Sequence, residues 1–126
     1  MLYAVLCYNS EDSVFSWSKQ EEEAVMGKLI AAQEKMARAG KLGPVARLMP
    51  TTAATTLRAG AEPLVIDGPF AETKEQLLGF YVVDCATLEE AIEATRLLLA
   101  PRVAAGLMSA LEIRPISVFH PGRSDT

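Results

Sequence analysis

The chain has 126 residues, half of them hydrophobic and 22% charged, which is the composition of one folded domain and not of a disordered segment. Its 12 basic residues are outnumbered by 16 acidic ones, giving a net charge of −4, and they form no basic stripe. That argues against a nucleic-acid surface, and the absence of a long apolar run argues against a membrane span.

Taken in order, the chain opens with Leu2 to Tyr8, apolar on both alternating sets, which predicts a strand buried on both faces. This apolar start lacks a basic leader, so we expect a first strand, no signal peptide and a cytoplasmic location. Asn9 to Ser16 is expected to be a polar loop. Ser18-Lys19-Gln20-Glu21 has the form of a capping box. Val25, Leu29, Ala32, Met36 and Ala39 follow at helical spacing, with Gly40 as the residue that ends the helix. Trp17 is expected to be a hydrophobic contact before this helix. Leu42 to Met49 reads as a strand. Thr55 to Arg58 and Pro63 to Ile66 read as a hairpin, joined by Ala59 to Glu62.

Asp67-Gly68-Pro69-Phe70 comes next: an acid, a permissive Gly, a Pro with fixed φ and an aromatic ring. Gly68 and Pro69 are expected to set a tight turn and Phe70 to anchor it. Thr73-Lys74-Glu75-Gln76 has the form of a short capping box and predicts a helical turn. Leu77 to Asp84 is a second strand with two apolar faces. Thr87 to Glu90 starts another helix, which Pro101 is expected to end at Ala100. Ala110 to Val118 is the last strand, and Pro115 assigns it to an edge. Residues 119–126 form a polar tail after a domain spanning residues 1–118.

The order is that of a ferredoxin-like βαββαβ sandwich with an extra hairpin, an α+β fold. Two helices cover one face of a four-stranded sheet. Strands apolar on both faces then require a second cover, and an identical chain is the simplest, so a homodimer is expected.

Candidate site residues are few. Asp67 is either an acceptor for the turn that follows it or a general acid/base beside a pocket. Lys74 is either a solvated loop charge, like Glu72 and Glu75, or an anion binder. Arg58 and Arg114 are either edge residues or clamps for a substrate carboxylate. Tyr8 and Tyr81 are either core or cavity-lining. Cys7 and Cys85 match no metal spacing and are expected to be buried thiols. The single His, His120, lies in the tail, which argues against a His-based dyad or triad within the fold. No phosphate-cradling glycine loop is present. No metal or cofactor is expected.

The run PLVIDGPFAETKEQLLGFYVV resembles the YCII-related family in its DGPF branch, and MLYAVLCY, TTLR and ALEIRPI resemble other strands of that branch. The resemblance implies a ferredoxin-like fold forming a dimeric α/β barrel, with a pocket between sheet and helices. It implies that Asp67 is the functional acid. Relatives pair that Asp with a His, and no residue before His120 supplies one here. The wider family includes a dehydrochlorinase acting on a chlorinated hydroquinone. Members of the branch are often encoded beside extracytoplasmic-function sigma factors. Two functions follow as expectations: a small-metabolite lyase or isomerase with Asp67 as proton shuttle, or a non-catalytic dimeric ligand-binding or interaction module serving a sigma factor.

Overall fold

The computed structural model describes residues 1–122; residues 123–126, the end of the expected polar tail, lie outside the described residues. Its elements are β1 (Leu2–Asn9), α1 (Glu11–Phe15), α2 (Lys19–Arg38), β2 (Leu42–Arg47), a 3₁₀ turn (Thr51–Ala53), β3 (Thr55–Arg58), β4 (Leu64–Asp67), β5 (Gln76–Asp84), α3 (Leu88–Ala104) and β6 (Ala110–Pro115).

Four strands form one antiparallel sheet in the order β2-β5-β1-β6. The two strands with no polar face, β1 and β5, are the central pair, and Pro115 lies on the edge strand β6, paired with Tyr3 alone. The order is consistent with a ferredoxin-like fold. β3 and β4 form a separate two-stranded sheet, so the single chain contains an open sheet and no closed barrel.

Alternation along the central strands divides the sheet into two faces. Tyr3, Val5 and Cys7 of β1 and Tyr81 and Val83 of β5 join Met36 of α2 and Ala91, Ala94 and Leu98 of α3 in one buried core. The intervening residues Ala4, Leu6, Phe80 and Val82 point to the opposite face, which carries no helix. Gly79 of β5 sits where β2 comes closest. A Cβ at Gly79 would lie 2.5 Å from the carbonyl oxygen of Ala46, so no other residue fits without moving the strand.

The two long helices start at the predicted caps, Ser18 and Thr87, but of the two capping boxes expected there only the first is complete. The Glu21 N–H donates to Ser18 Oγ at 3.1 Å and the Ser18 N–H to the Glu21 carboxylate at 3.3 Å, a complete capping box. At α3, the Glu90 N–H donates to Thr87 Oγ1 at 3.2 Å, while the Glu90 carboxylate accepts from Ala86 and not from the cap itself.

The structure corrects four expectations. Asn9 to Ser16 contains the short helix α1, for which Glu11 and Asp12 supply acids at the positive helix end. Residues 73–76 form no helical turn; the Thr73 hydroxyl donates to Glu75 O at 2.6 Å instead, a local bond that competes with helix. The last strand stops at Pro115, three residues earlier than expected. Pro101 does not end α3: the helix continues to Ala104 with the proline inside it. That extra turn brings Arg102 to a cavity beside the sheet.

Candidate functional site

The middle of α2 and the sheet border a partly open cavity of about 280 Å³. Val25, Leu29 and Ile30 line it from α2, Val45 from β2, Cys7 and Tyr8 from β1, and Tyr81 from β5. Trp17, just before α2, also borders it. The C-terminal end of α2 is seated on the core through Met36, and the cavity lies before it along the helix, bordered also by Val14 of α1 and Arg102 of α3.

Arg102 enters from the extra turn of α3. This turn finishes in a left-handed residue, Gly106, with φ +78°. The Gly106 N–H donates to Val103 O at 3.0 Å and the Leu107 N–H to Arg102 O at 3.0 Å. That pair of bonds is a Schellman motif, which glycine favours because a Cβ is strained there. The reversal brings Leu107 and Ser109 to the cavity wall beside Arg102.

The half-buried Arg102 divides its donors. Nη1 donates to Leu98 O in the preceding turn, and Nη2 donates to Tyr81 Oη at 3.2 Å. The guanidinium carbon stands 5.7 Å from the centre of the Tyr81 ring, within cation–π range. Nη2 is also 4.0 Å from Cys7 Sγ. Burial pushes the Cys7 thiol above its ordinary value, and the positive charge of Arg102 only partly opposes this.

Among the described residues no Asp or Glu lines this cavity. The second arginine on its wall, Arg47, is neutralised by Glu22 at 3.0 Å and lies against the Phe15 ring. Arg102 has no carboxylate partner among the described residues. Asn9, buried at the end of β1, donates to Ser109 Oγ at 2.8 Å and accepts the Ser10 N–H at 2.8 Å.

A second, more polar cleft of about 310 Å³ borders the 67–76 loop, lined by Glu11, Thr51, Pro69, Thr73 and Gln76 among others. Its polar groups bond to one another. The Glu11 carboxylate accepts from both the backbone N–H and the hydroxyl of Thr51, and Gln76 Oε1 accepts the Glu11 N–H at 2.9 Å.

Of the residues singled out in the sequence, the structure brings Tyr8 and Tyr81 together at the first cavity. Asp67 ends β4, exposed, and lines neither cavity. Arg58 is exposed on β3, opposite Leu64. Lys74 is exposed in the loop. Arg114 is exposed on β6, 3.8 Å from Glu112. Gly68 adopts φ +107° in the expected turn, held by its N–H donating to Ala54 O at 2.7 Å and by the Thr56 hydroxyl donating to Gly68 O at 2.8 Å. Phe70, expected to anchor this turn, is 72% exposed, so packing within one chain does not hold it.

Arg102 and Ser109 are the cavity residues that sequence reasoning misses, because a helix stop at Pro101 leaves both outside any element. The signal was present. Gly106 lies where a helix-ending glycine belongs, and Arg102 follows Leu98 by four residues, which continues the helical face.

Among the described residues no cluster of His, Cys, Asp and Glu could hold a metal ion. No helix among them is long and apolar enough to cross a membrane. A family model for the YCII-related domain matches residues 1–117. The chain is 58% identical over 123 residues, 97% of each protein, to an uncharacterised protein of Rhizobium meliloti (strain 1021).

Proposed function

The chain belongs to the YCII-related family, and from that premise we propose that it is a homodimeric small-molecule-binding domain whose ligand occupies the cavity between α2 and the sheet. The observation that carries this reading is the cavity itself: apolar walls, a few convergent polar groups, and an arginine without a counter-ion. The run from Asp67 to Phe70 favours the DGPF branch of the family. A dry apolar cavity of about 150 Å³ admits benzene, so one of about 280 Å³ suits a single ring with substituents or a short branched chain.

The homodimer draws support from exposed apolar surface. Leu57 and Val65 face each other across the hairpin at 72% and 65% exposure. Leu64 and Phe70 are also exposed, and one face of the sheet carries no helix. A second copy closing over these surfaces is the barrel that the family resemblance implies. Light scattering on the purified chain is expected to give a dimer, and Leu57→Lys a monomer. A monomeric wild type at micromolar concentration removes this part of the reading.

The ligand reading is tested by a thermal-shift screen of small metabolites against wild type and Leu29→Trp, whose added bulk fills the cavity. Hits lost in the variant support the site. Hits retained by a folded variant bind elsewhere and overturn it.

A second reading keeps catalysis at Asp67, in a lyase- or isomerase-type step. It draws on one observation: two hydrogen bonds fix the turn, while the carboxylate has no side-chain bond among the described residues. Turnover that persists in Asp67→Asn removes it. A stable complex with a sigma factor, combined with no ligand shifts, would instead favour an interaction module.

A further inference from the structure

We propose that the cavity selects ligands carrying a carboxylate, with Arg102 as the anion anchor; this rests on the cavity being the ligand site. Three observations converge on that chemistry.

The first is charge. Arg102 stands half-buried in a cavity that no acid among the described residues lines, in a protein whose net charge is −4. A guanidinium removed from water is costly unless it is paired. Arg47, the other arginine on the wall, already has Glu22 as its partner.

The second is hydrogen-bond inventory. A guanidinium carries five N–H donors and no acceptor. Arg102 engages Leu98 O with one terminal nitrogen and Tyr81 Oη with the other. The remaining donors have no oxygen acceptor among the described residues. Tyr81 Oη accepts from Arg102, and among the described residues its own proton meets no acceptor. Ser109 Oγ accepts from Asn9, and its proton likewise meets no acceptor among them. The polar groups at this end of the cavity therefore offer donors in excess. A carboxylate supplies two oxygens and a negative charge, which meets both deficits at once.

The third is shape. Leu29, Ile30 and Val45 give the ligand body apolar walls, and of the polar groups that also line the cavity, Arg47 is already paired with Glu22 and Gln33 is uncharged. The ligand class is an apolar acid: an aromatic or short branched-chain carboxylate. Capping the end of α3 accounts for the Leu98 contact of Arg102 alone. It does not account for the second nitrogen being held against Tyr81 on the cavity wall.

The test compares benzoate, phenylacetate and 3-methylbutanoate with their primary amides, which match them in shape and lack the charge. Binding to the full chain is read by calorimetry and by the fluorescence of Trp17, the single tryptophan. We expect at least one acid to bind saturably and its amide to bind ten- to a hundredfold more weakly. Arg102→Gln should abolish the preference, and Arg102→Lys should restore part of it, because the charge returns without the fork. If acid and amide bind alike, the carboxylate assignment is overturned while the cavity remains a ligand site. If none of the compounds binds, the assignment is overturned, and the metabolite screen on wild type and Leu29→Trp decides the cavity separately. If Arg102→Gln does not fold, the acid–amide comparison on wild type decides.

Discussion

Arg102 Nη2 donates to Tyr81 Oη at 3.2 Å, a contact that joins the last turn of α3 to the central strand β5 across the cavity. The residues are 21 positions apart in sequence, and the bond exists only because α3 runs on through Pro101. The geometry of this turn, of the strands beneath it and of the hairpin beyond it leads to four expectations.

Gly106→Ala should both destabilise the protein and loosen the site. The residue stands at φ +78°, where a side chain costs roughly 1–2 kcal/mol. The reversal that follows sets Leu107 and Ser109 against the cavity. Urea denaturation should show the loss of stability, and any cavity ligand should bind more weakly. An unchanged denaturation midpoint would show that the left-handed turn is not required.

Alanine at two other glycines should have opposite effects. A Cβ at Gly79 meets Ala46 O at 2.5 Å, so Gly79→Ala must displace β2 and is expected to cost about 1–3 kcal/mol. A Cβ at Gly27, within α2, meets nothing within 4 Å, and Gly27→Ala should gain about 0.5–1 kcal/mol by restoring helix propensity. Melting temperatures of the two variants should lie on either side of wild type.

The Cys7 thiol should stay protonated and unreactive at neutral pH. Burial raises its pKa from the ordinary 9.0, so the folded state holds a proton that the unfolded chain would release. The associated stability is fully present below about pH 9 and declines as pH rises through the raised value. Alkylation at pH 8.5, followed by mass spectrometry, should label Cys7 at least about tenfold more slowly in the native chain than in urea. Equal rates would place the thiol in solvent.

Asp67→Ala should leave stability within about 0.5 kcal/mol of wild type. The carboxylate is exposed and has neither a hydrogen bond nor an ion pair among the described residues, while backbone and Thr56 bonds hold the turn without it. A large drop in melting temperature would mean that the acid braces the loop, and that a second copy supplies the partner.

The local signals in the sequence carried far. Periodicity identified both long helices and all six strands, because a side-chain period of two or 3.6 is dictated by backbone geometry and needs no distant partner. Ser18, Glu21 and Thr87 marked helix starts by chemistry complete within four residues. The two-faced apolar pattern of β1 and β5 identified the central pair before any contact was known. Of the cavity, only the tyrosines were legible.

What sequence alone could not decide depends on groups far apart in the chain. Pro101 lacks one helical donor, yet packing of Leu98 in the core and the Gly106 cap carry the helix past it. The proline's local propensity was overruled by the packing of Leu98 before it and the Gly106 cap after it, signals that outweigh the missing donor only together. Asp67-Gly68-Pro69-Phe70 stood out because its residue types are special to turns, and a turn is what it forms. The sequence by itself therefore determined the elements, their order and the central strands, each a matter of local backbone chemistry. Only the tertiary structure decided that the cavity lies under α2, lined by Tyr81 and Arg102 and away from Asp67, because enclosing a space requires surfaces brought together from distant parts of the chain.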